Sequence, residues 1–371
     1  MGSGPTGRFR MNQGETELKR PSELTAAERE AWQAFVAADP LLGSPYFAPE
    51  FAECCEEARA DTRVVIHRRK GAIKAFLPLQ TGRLGIARPI GGPLGDVHGV
   101  ITEPGYGLDP TALISQAGIS LFEFKSALAA QSGFSANARV RDGSWQVDTS
   151  EGFAAWRTNR REIVPKVIKN LDMRRRRLER FEAGYTVRLA DPRPEAFATL
   201  LEWKSAQYRR TGVFDAFRVG WTQKLLAAVL KRQSPRFSGV LSTLTVDNRL
   251  AAVHLGMVSD RMAHFWFPAY HADFSRISPG LLMLEEFIRM AADLGLASVE
   301  LGPGDYGFKQ ELASYQTGLA SGFLAPSPMR NRIHRSVDGW VERLERLPVP
   351  SARWPGKALR RIDEMAGFYA L

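Results

Sequence analysis

The chain has 371 residues, of which 44% are hydrophobic and 24% are charged, and its net charge is +10. This composition excludes a disordered chain and is sufficient for two domains with full hydrophobic cores. No run approaches the ~20 apolar residues that a membrane-spanning helix requires, and no apolar signal core follows Met1, so we expect a cytoplasmic protein.

The first 150 residues predict a leader and one domain. Residues 1–20 lack hydrophobic periodicity and are predicted to be a disordered leader. In residues 21–150 the patterns predict helices at 22–39, 49–59, 110–117 and 125–132, hairpin strands at 62–67 and 72–79, and a further strand at 119–124. The glycine-rich loop 89–96 could approach a ligand, but it fits no nucleotide-binding fingerprint, so we interpret it as a turn.

A basic connector and a basic tail carry almost all of the net charge. Residues 151–183 hold ten Lys and Arg against five Asp and Glu, and residues 326–371 hold nine against five. We predict one long basic helix at 162–181, with a buried stripe from Val164 to Leu171. The run from Arg174 to Arg177 on this helix indicates either a solvated face or an anion-binding patch.

The predicted order of helices and strands in the second half repeats that of the first. Helices are predicted at 194–210 and 221–232, followed by a strand hairpin over Asp247-Asn248, a third strand, a helix and a strand at 298–301. We therefore expect an α/β (α+β) fold of two tandem domains, each a mixed sheet flanked by helices, at 21–150 and 184–325.

The helix that starts at Ser278-Pro279-Gly280 is a candidate anion site. A hydroxyl before a proline is typical of a helix N-terminus, where free N–H groups and the helix dipole can hold a pyrophosphate. The preceding strand is interpreted as splayed after Phe267-Pro268, which would offer its backbone groups to a pantetheine arm. An ordinary capped helix is the alternative.

These segments carry a family resemblance. Ala269-Tyr270, Phe274, residues 278–282, and Leu301-Gly302 through Phe308-Lys309 resemble the signature of the CelD-type acyltransferases, a GNAT-fold branch related to the Fem peptidoglycan enzymes. Within that family the chain is most similar to N-acetyltransferases of exported polysaccharides, including holdfast adhesins. The resemblance spans about residues 145–321. The order helix, helix, hairpin, helix and strand in residues 21–150 is that of a GNAT half, so we expect a degenerate GNAT-like domain there. The family usually has Tyr where this chain has Phe308.

The resemblance implies an acyl-coenzyme A site in the second domain and an acceptor cleft beside it. The catalytic candidates are His264 as a base, Asp305 to orient or deprotonate an amine, Tyr306 to protonate the thiolate, and Lys309 to stabilise an oxyanion. The donor-binding candidates are Phe267, Ser278, Pro279, Gly280, Leu281 and Leu282. The acceptor-lining candidates are Lys204, Gln207, Tyr208, Asp215 and Tyr270. Alternatively, these residues pack in the core, lie on solvated faces or form surface ion pairs.

Two strand histidines leave a question of register. His254 and His264 share a face with Trp266 in an even register, and a shift of one residue separates them. No Ser/His/Asp or Cys/His combination is evident, so we expect direct attack by the substrate amine. Cys54 and Cys55 are adjacent and the six histidines are scattered, so we expect no metal site.

The predicted function is N-acetyl transfer from acetyl-CoA to an amino sugar or polysaccharide precursor in exopolysaccharide or holdfast biosynthesis. One alternative is a Fem-like transferase that uses aminoacyl-tRNA, although no aromatic residues lie among the arginines, and nucleic acid is not expected. Another is a regulatory protein that binds a nucleotide or a membrane on a transferase fold. The tail, with an amphipathic segment at 333–347, is predicted to contact the inner membrane peripherally or to bind cyclic di-GMP.

Overall fold

The computed structural model of the protein describes residues 14–329 together with Arg332 and Phe368. The amphipathic segment 333–347, and with it the predictions made for the tail, lie outside these residues. The helices are α1 Ala26–Ala38, α2 Pro49–Ala58, α3 Pro110–Gln116, α4 Ser132–Ser135, α5 Gly152–Ile163, α6 Pro165–Leu178, α7 Pro194–Thr211, α8 Gly220–Lys231, α9 Pro279–Asp293 and α10 Gly307–Leu312.

The strands form one sheet, fourteen-stranded within the described residues. They are β1 Glu15–Lys19, β2 Thr62–Arg69, β3 Ala72–Thr81, β4 Ile86–Pro89, β5 Ile101–Thr102, β6 Leu121–Leu128, β7 Ala138–Asp148, β8 Tyr185–Arg188, β9 Gln233–Ser234, β10 Phe237–Val246, β11 Arg249–Ser259, β12 Met262–Tyr270, β13 Ser298–Gly302 and β14 Tyr315–Leu324. Their order is β1-β2-β3-β4-β6-β14-β7-β13-β12-β11-β10-β8, with β5 beside β3 and β9 beside β10. The pairs β4–β6 and β12–β13 are parallel. The predicted fold class, a mixed sheet flanked by helices, is confirmed.

The two halves exchange their last strands. β7 follows β6 along the chain but pairs with β13, and β14 follows β13 but pairs with β6. β7 and β14 also pair with each other, which joins the halves into one sheet. Residue 150, predicted as the end of the first domain, therefore does not separate two complete sheets. Neither strand was predicted from the sequence. β7 begins with exposed charged residues instead of an apolar alternation.

The elements with the strongest local sequence signals form as predicted. Helix α1 begins with a capping box in which Thr25 and Glu28 bond each other's backbone N–H groups. The hairpin β10–β11 turns over Asp247 and Asn248, both with positive φ, as predicted from this two-residue signal. The hairpin β2–β3 turns in the same way over Lys70-Gly71.

Three predicted segments differ from the structure. The predicted disorder of residues 1–20 is wrong for Glu15–Lys19, which form β1 and pair with β2, while residues 1–13 lie outside the described part. The predicted helix at 125–132 is wrong, because β6 continues to Leu128 in pairing with β14. The predicted long basic helix is two helices, α5 and α6, separated at Val164. Val164 is not helical (φ −130°, ψ 58°), because a residue before proline is disfavoured in the α conformation.

Helices cover both faces of the sheet. On one face, α1, α2, α7 and α8 pack on a core that takes residues from both halves, among them Trp32, Phe51, Phe217 and Phe237. In the second half the other face packs against α5, α6 and α9 through Ile168, Leu171 and Phe287. The first of these cores contains residues of both halves and lies where the two halves meet.

Candidate active site

The parallel strands β12 and β13 diverge near the middle of the sheet. They pair only from Met262 and Ser298 to His264 and Glu300, after which β12 continues to Tyr270. Within the described part of the chain, no strand pairs with that edge of β12 beyond His264. The predicted splay is therefore present, but it opens earlier than Phe267-Pro268. It leaves backbone groups of β12 available to an extended ligand.

A buried row of polar side chains crosses the sheet where the strands part. His264, Glu300 and Gln146 are register neighbours on β12, β13 and β7. The Glu300 carboxylate accepts hydrogen bonds from Ser44 Oγ (2.7 Å), Ser144 Oγ (2.9 Å) and Gln146 Nε2 (3.2 Å). Its Oε2 lies 3.5 Å from His264 Nδ1. A buried carboxylate with this many partners is held firmly, whereas His264 Nδ1 has no hydrogen-bond partner among the described residues.

The other side of the imidazole faces the first half of the chain. His264 Nε2 lies 3.2 Å from Asp96 Oδ2 and 3.2 Å from Tyr46 Oη. The histidine side chain is fully buried, whereas the Asp96 side chain is 30% exposed. We call Glu300, His264 and Asp96 the central triad. It leads from the buried core of the sheet to a carboxylate that solvent can reach.

Tyr46 and Trp266 hold the loop that carries Asp96. The Tyr46 hydroxyl and the Trp266 indole N–H both donate to the Leu94 carbonyl, at 3.2 and 3.1 Å. Burial, with the nearby Asp96 and Glu300 carboxylates, raises the pKa of Tyr46 well above its usual range, so it remains a neutral phenol. From the sequence this loop was expected to be a turn or to approach a ligand, and Asp96 was not among the predicted site residues.

Gly302 allows the Asp96 carboxylate to approach the end of β13. The glycine has φ of +75°, and a Cβ built on it would lie 2.5 Å from Asp96 Oδ2. Any other residue would be strained at this φ and would push the carboxylate away from its position. The end of β13 is therefore shaped around Asp96.

The predicted catalytic residues after β13 have different surroundings. Lys309 is buried, and its Nζ donates to the carbonyls of Gly302 (3.2 Å) and Pro303 (2.7 Å). Burial lowers its pKa, an effect that the Asp96 and Glu300 carboxylates oppose. Asp305 is exposed and accepts a hydrogen bond from Gln310 Nε2 (3.1 Å). Lys309 thus closes the turn after β13, and Asp305 lies on the surface of that turn.

Helix α7 brings three of the predicted acceptor residues together. Lys204 Nζ lies 3.2 Å from Gln207 Oε1, 5.1 Å from the Tyr208 ring centroid and 6.0 Å from that of Phe267. Lys204 is buried, and this burial lowers its pKa to about 8. No acidic side chain among the described residues forms an ion pair with it.

Tyr208 lies on the same helix, with its ring beside the Lys204 ammonium. Burial raises the pKa of Tyr208 to about 12, and the charges of Tyr306, Asp96 and Asp215 act in the same direction. Tyr306 is 61% exposed. Asp215 accepts a hydrogen bond from the Ser205 hydroxyl.

The start of α9 is open, as an anion site requires. Ser278 has φ of 48° and caps no N–H group with its side chain, and Pro279 lacks an N–H. The N–H groups of Leu281 and Leu282 are directed to the Ser278 carbonyl. A Cβ on Gly280 would meet only a Tyr270 ring carbon at 3.8 Å. Among the first-turn donors, therefore, the Gly280 N–H is the group that remains for a ligand.

Arg276 adds a cation at this helix start. It lies in the short 3-10 helix Ala272–Ile277 just before α9, is exposed, and forms no ion pair with the described residues. The sequence analysis did not select it, although a basic residue four positions before Gly280 was a usable signal.

His254 is separated from the cleft by a β-bulge. The register of β11 and β12 shifts between Leu255 and Met257, which places His254 and His264 on opposite faces of the sheet. The His254 ring stacks on Phe265 at 3.9 Å, and burial lowers its pKa well below the usual value. It is a neutral packing residue.

Comparisons with known proteins agree with this geometry. Residues 165–310 match the family model of the acetyltransferase (GNAT) domain. The structure of FemX aligns with a TM-score of 0.56 and 11% identity, over 86% of this chain and 100% of that chain. The C-terminal domain of a candidate lysylphosphatidylglycerol synthetase from Agrobacterium fabrum aligns with a TM-score of 0.50 and 13% identity, over 84% and 96%. No curated protein matches the sequence significantly. The two solved structures share the fold of this chain, and the match to the GNAT acetyltransferase model is confined to residues 165–310.

Proposed function

We propose that the protein transfers an acetyl group from acetyl-CoA to the amine of an amino sugar in a precursor of an exported polysaccharide, such as a holdfast adhesin. The observation that carries this proposal is the central triad at the point where β12 and β13 diverge. It puts a partly exposed carboxylate beside an unpaired strand edge. An amine can lose its proton there while it attacks an acyl group held along β12.

The residues around α9 fit the donor. The unpaired edge of β12 from Phe265 to Tyr270 offers N–H and C=O groups to the amide-containing arm of coenzyme A. The Gly280 N–H, the free Ser278 hydroxyl and the Arg276 guanidinium fit its pyrophosphate. The bound donor supplies an electrophilic thioester carbonyl. The predicted Leu281 and Leu282 contribute through packing, because their N–H groups are already used.

We assign the role of general base to Asp96. Its carboxylate is the member of the central triad that a substrate can reach, and His264 and Glu300 hold it from behind. His264 itself is fully buried, so it is proposed as a positioning residue instead of the base predicted from sequence. Asp305 was the other candidate, but its carboxylate points to Gln310 on the surface.

The neutral phenol of Tyr208 is proposed to protonate the leaving thiolate. Its raised pKa keeps the proton on the oxygen at neutral pH, and its ring lies beside Lys204 on the helix that we propose to line the acceptor cleft. Tyr306 is the second candidate for this role. We propose that Lys309 fixes the turn after β13, since its ammonium already donates to two carbonyls.

The acceptor class is inferred from the cleft. Aromatic rings of Tyr208, Tyr306 and Phe267, beside the polar Gln207 and Lys204, offer stacking surfaces and hydrogen-bonding groups, as a sugar ring requires. Asp215 and Tyr270 are proposed to extend this lining. Measurements of acetyl-CoA binding and turnover distinguish this function from the aminoacyl-tRNA-dependent and regulatory alternatives. The membrane and cyclic di-GMP proposals for the tail are independent of this function.

The testing experiment is calorimetric titration with acetyl-CoA, followed by release of free thiol with a panel of amino sugars. Gly280→Asp places a negative charge at the proposed pyrophosphate site and should weaken binding by at least about tenfold. Gly220→Asp is the control, because Gly220 also begins a helix and its Cβ position is open. Unchanged affinity in folded Gly280→Asp would refute the donor site, and binding without turnover on any amino sugar would refute the acceptor class.

A further inference from the structure

The exposed face of α6 is a continuous basic surface. Five residues, which we call the basic stripe, lie on this face: Lys166, Lys169, Met173, Arg176 and Arg177. At 100° per residue they occupy about a third of the helix circumference. All five side chains are exposed, and Met173 is 41% exposed in the middle of the stripe.

The opposite face of α6 is fixed to the protein. Ile168, Leu171 and Leu178 are buried in the core beneath it. Arg175 forms ion pairs with Glu285 and Glu286 of α9. The helix is therefore held in one orientation, with its basic stripe directed to solvent.

The cations of the stripe have no anionic partners in the described structure. Ion pairs of this region use other residues: Arg157 with Asp172 and Glu285, and Arg161 with Asp172. Lys166, Lys169 and Arg176 have no hydrogen-bond or ion-pair partner among the described residues, and Arg177 Nη2 contacts only Met173 Sδ at 3.8 Å. Four like charges on one face repel each other, so an anionic surface would stabilise them.

We propose that the basic stripe docks the protein on an anionic phospholipid surface. A rigid helix with four unpaired cations around an exposed methionine matches a headgroup layer, which offers many negative charges and a shallow apolar boundary. Stacking recognition of single-stranded nucleic acid requires aromatic side chains, and the stripe has none. The proposal shares no residue with the proposed active site and does not depend on the acceptor or the donor.

The test is co-sedimentation of the full chain with phosphatidylcholine vesicles, with and without phosphatidylglycerol. Removing the four charges with Lys166→Gln, Lys169→Gln, Arg176→Gln and Arg177→Gln together should lower partitioning onto phosphatidylglycerol vesicles by at least about tenfold. The control removes four exposed cations elsewhere with Arg69→Gln, Lys224→Gln, Lys231→Gln and Arg236→Gln. The control variant should keep the vesicle affinity of the unmodified protein. Added salt should weaken vesicle binding of the control variant and of the unmodified protein.

Equal partitioning of the two variants would overturn the proposal, and so would binding that is independent of phosphatidylglycerol. Fluorescence anisotropy with a duplex RNA provides the competing arm. RNA binding that is tighter than vesicle binding at matched phosphate concentration, and that the stripe variant loses, would assign the surface to nucleic acid and overturn the lipid proposal. A thermal melt of each variant confirms that it is folded.

Discussion

His264 Nε2 lies 3.2 Å from Asp96 Oδ2, although the two residues belong to different halves of the chain. On its other side the histidine faces Glu300 at 3.5 Å, and three further side chains hold this carboxylate in place. The candidate base therefore comes from the first half of the chain, while the strands that support it and the donor site come from the second. We therefore propose that the first half takes part in catalysis.

Loss of the Glu300 carboxylate should destabilise the fold. Glu300→Ala leaves the buried donors of Ser44, Ser144 and Gln146 without an acceptor, and each orphaned donor costs about 1–3 kcal/mol. We expect urea denaturation to show a loss of at least about 3 kcal/mol in the free energy of unfolding. Glu311→Ala, at an exposed position of α10, should change it by no more than about 0.5 kcal/mol. Similar small losses in both variants would contradict the buried network.

The buried Lys204 should make stability depend on pH. Its pKa is lowered to about 8 in the folded protein, from 10.5, so the unfolded chain binds more protons between these values. The free energy of unfolding should therefore rise as pH increases from 8 to 10.5, by about 3 kcal/mol in total from this group. Below pH 8 the cost of the buried charge is fully present. Lys204→Met should be more stable there and should lose this part of the rise.

Urea denaturation of both proteins at several pH values between 7 and 10.5 isolates the contribution of Lys204 by difference. Parallel stability curves for the two proteins would mean that the ammonium is solvated, and that the cleft is more open than the structure shows.

The strand exchange predicts that the halves cannot fold separately. A fragment of residues 151–329 lacks β7, so β13 loses a partner strand and Glu300 loses Ser144 and Gln146. We expect this fragment to bind a hydrophobic dye and to unfold without cooperativity. Co-expression with residues 14–150 should give a soluble complex of the two fragments. Cooperative melting of the 151–329 fragment alone would show that β7 is dispensable.

The sequence predicted what depends on local signals. Capping at Thr25, the turn at Asp247-Asn248 and the proline start of α9 act within a few residues, and each was found. The proposed donor site rests on the last of these signals. The same reasoning placed Lys204, Gln207 and Tyr208 on one helical face, where the structure has them side by side.

Long-range relationships were not predictable in this way. Asp96 can be recognised as a candidate site residue only when β4 and β12 are placed in one sheet. No local pattern encodes that arrangement. β7 and β14 were missed because their pairing partners come from the opposite half. The faces of His254 and His264 depended on a single bulge, which the hydrophobic alternation does not reveal.

The most direct test of the account compares two aspartate variants in steady-state acetyl transfer from acetyl-CoA to an amino-sugar acceptor. Asp96→Asn should lower kcat by about 10²–10⁴-fold, the usual contribution of a general base, while calorimetry shows nearly unchanged coenzyme A affinity. Asp305→Asn, a change of the same type on the surface of the neighbouring turn, should retain nearly full turnover. Full activity of Asp96→Asn, or a loss confined to Asp305→Asn, would contradict the assignment of the central triad.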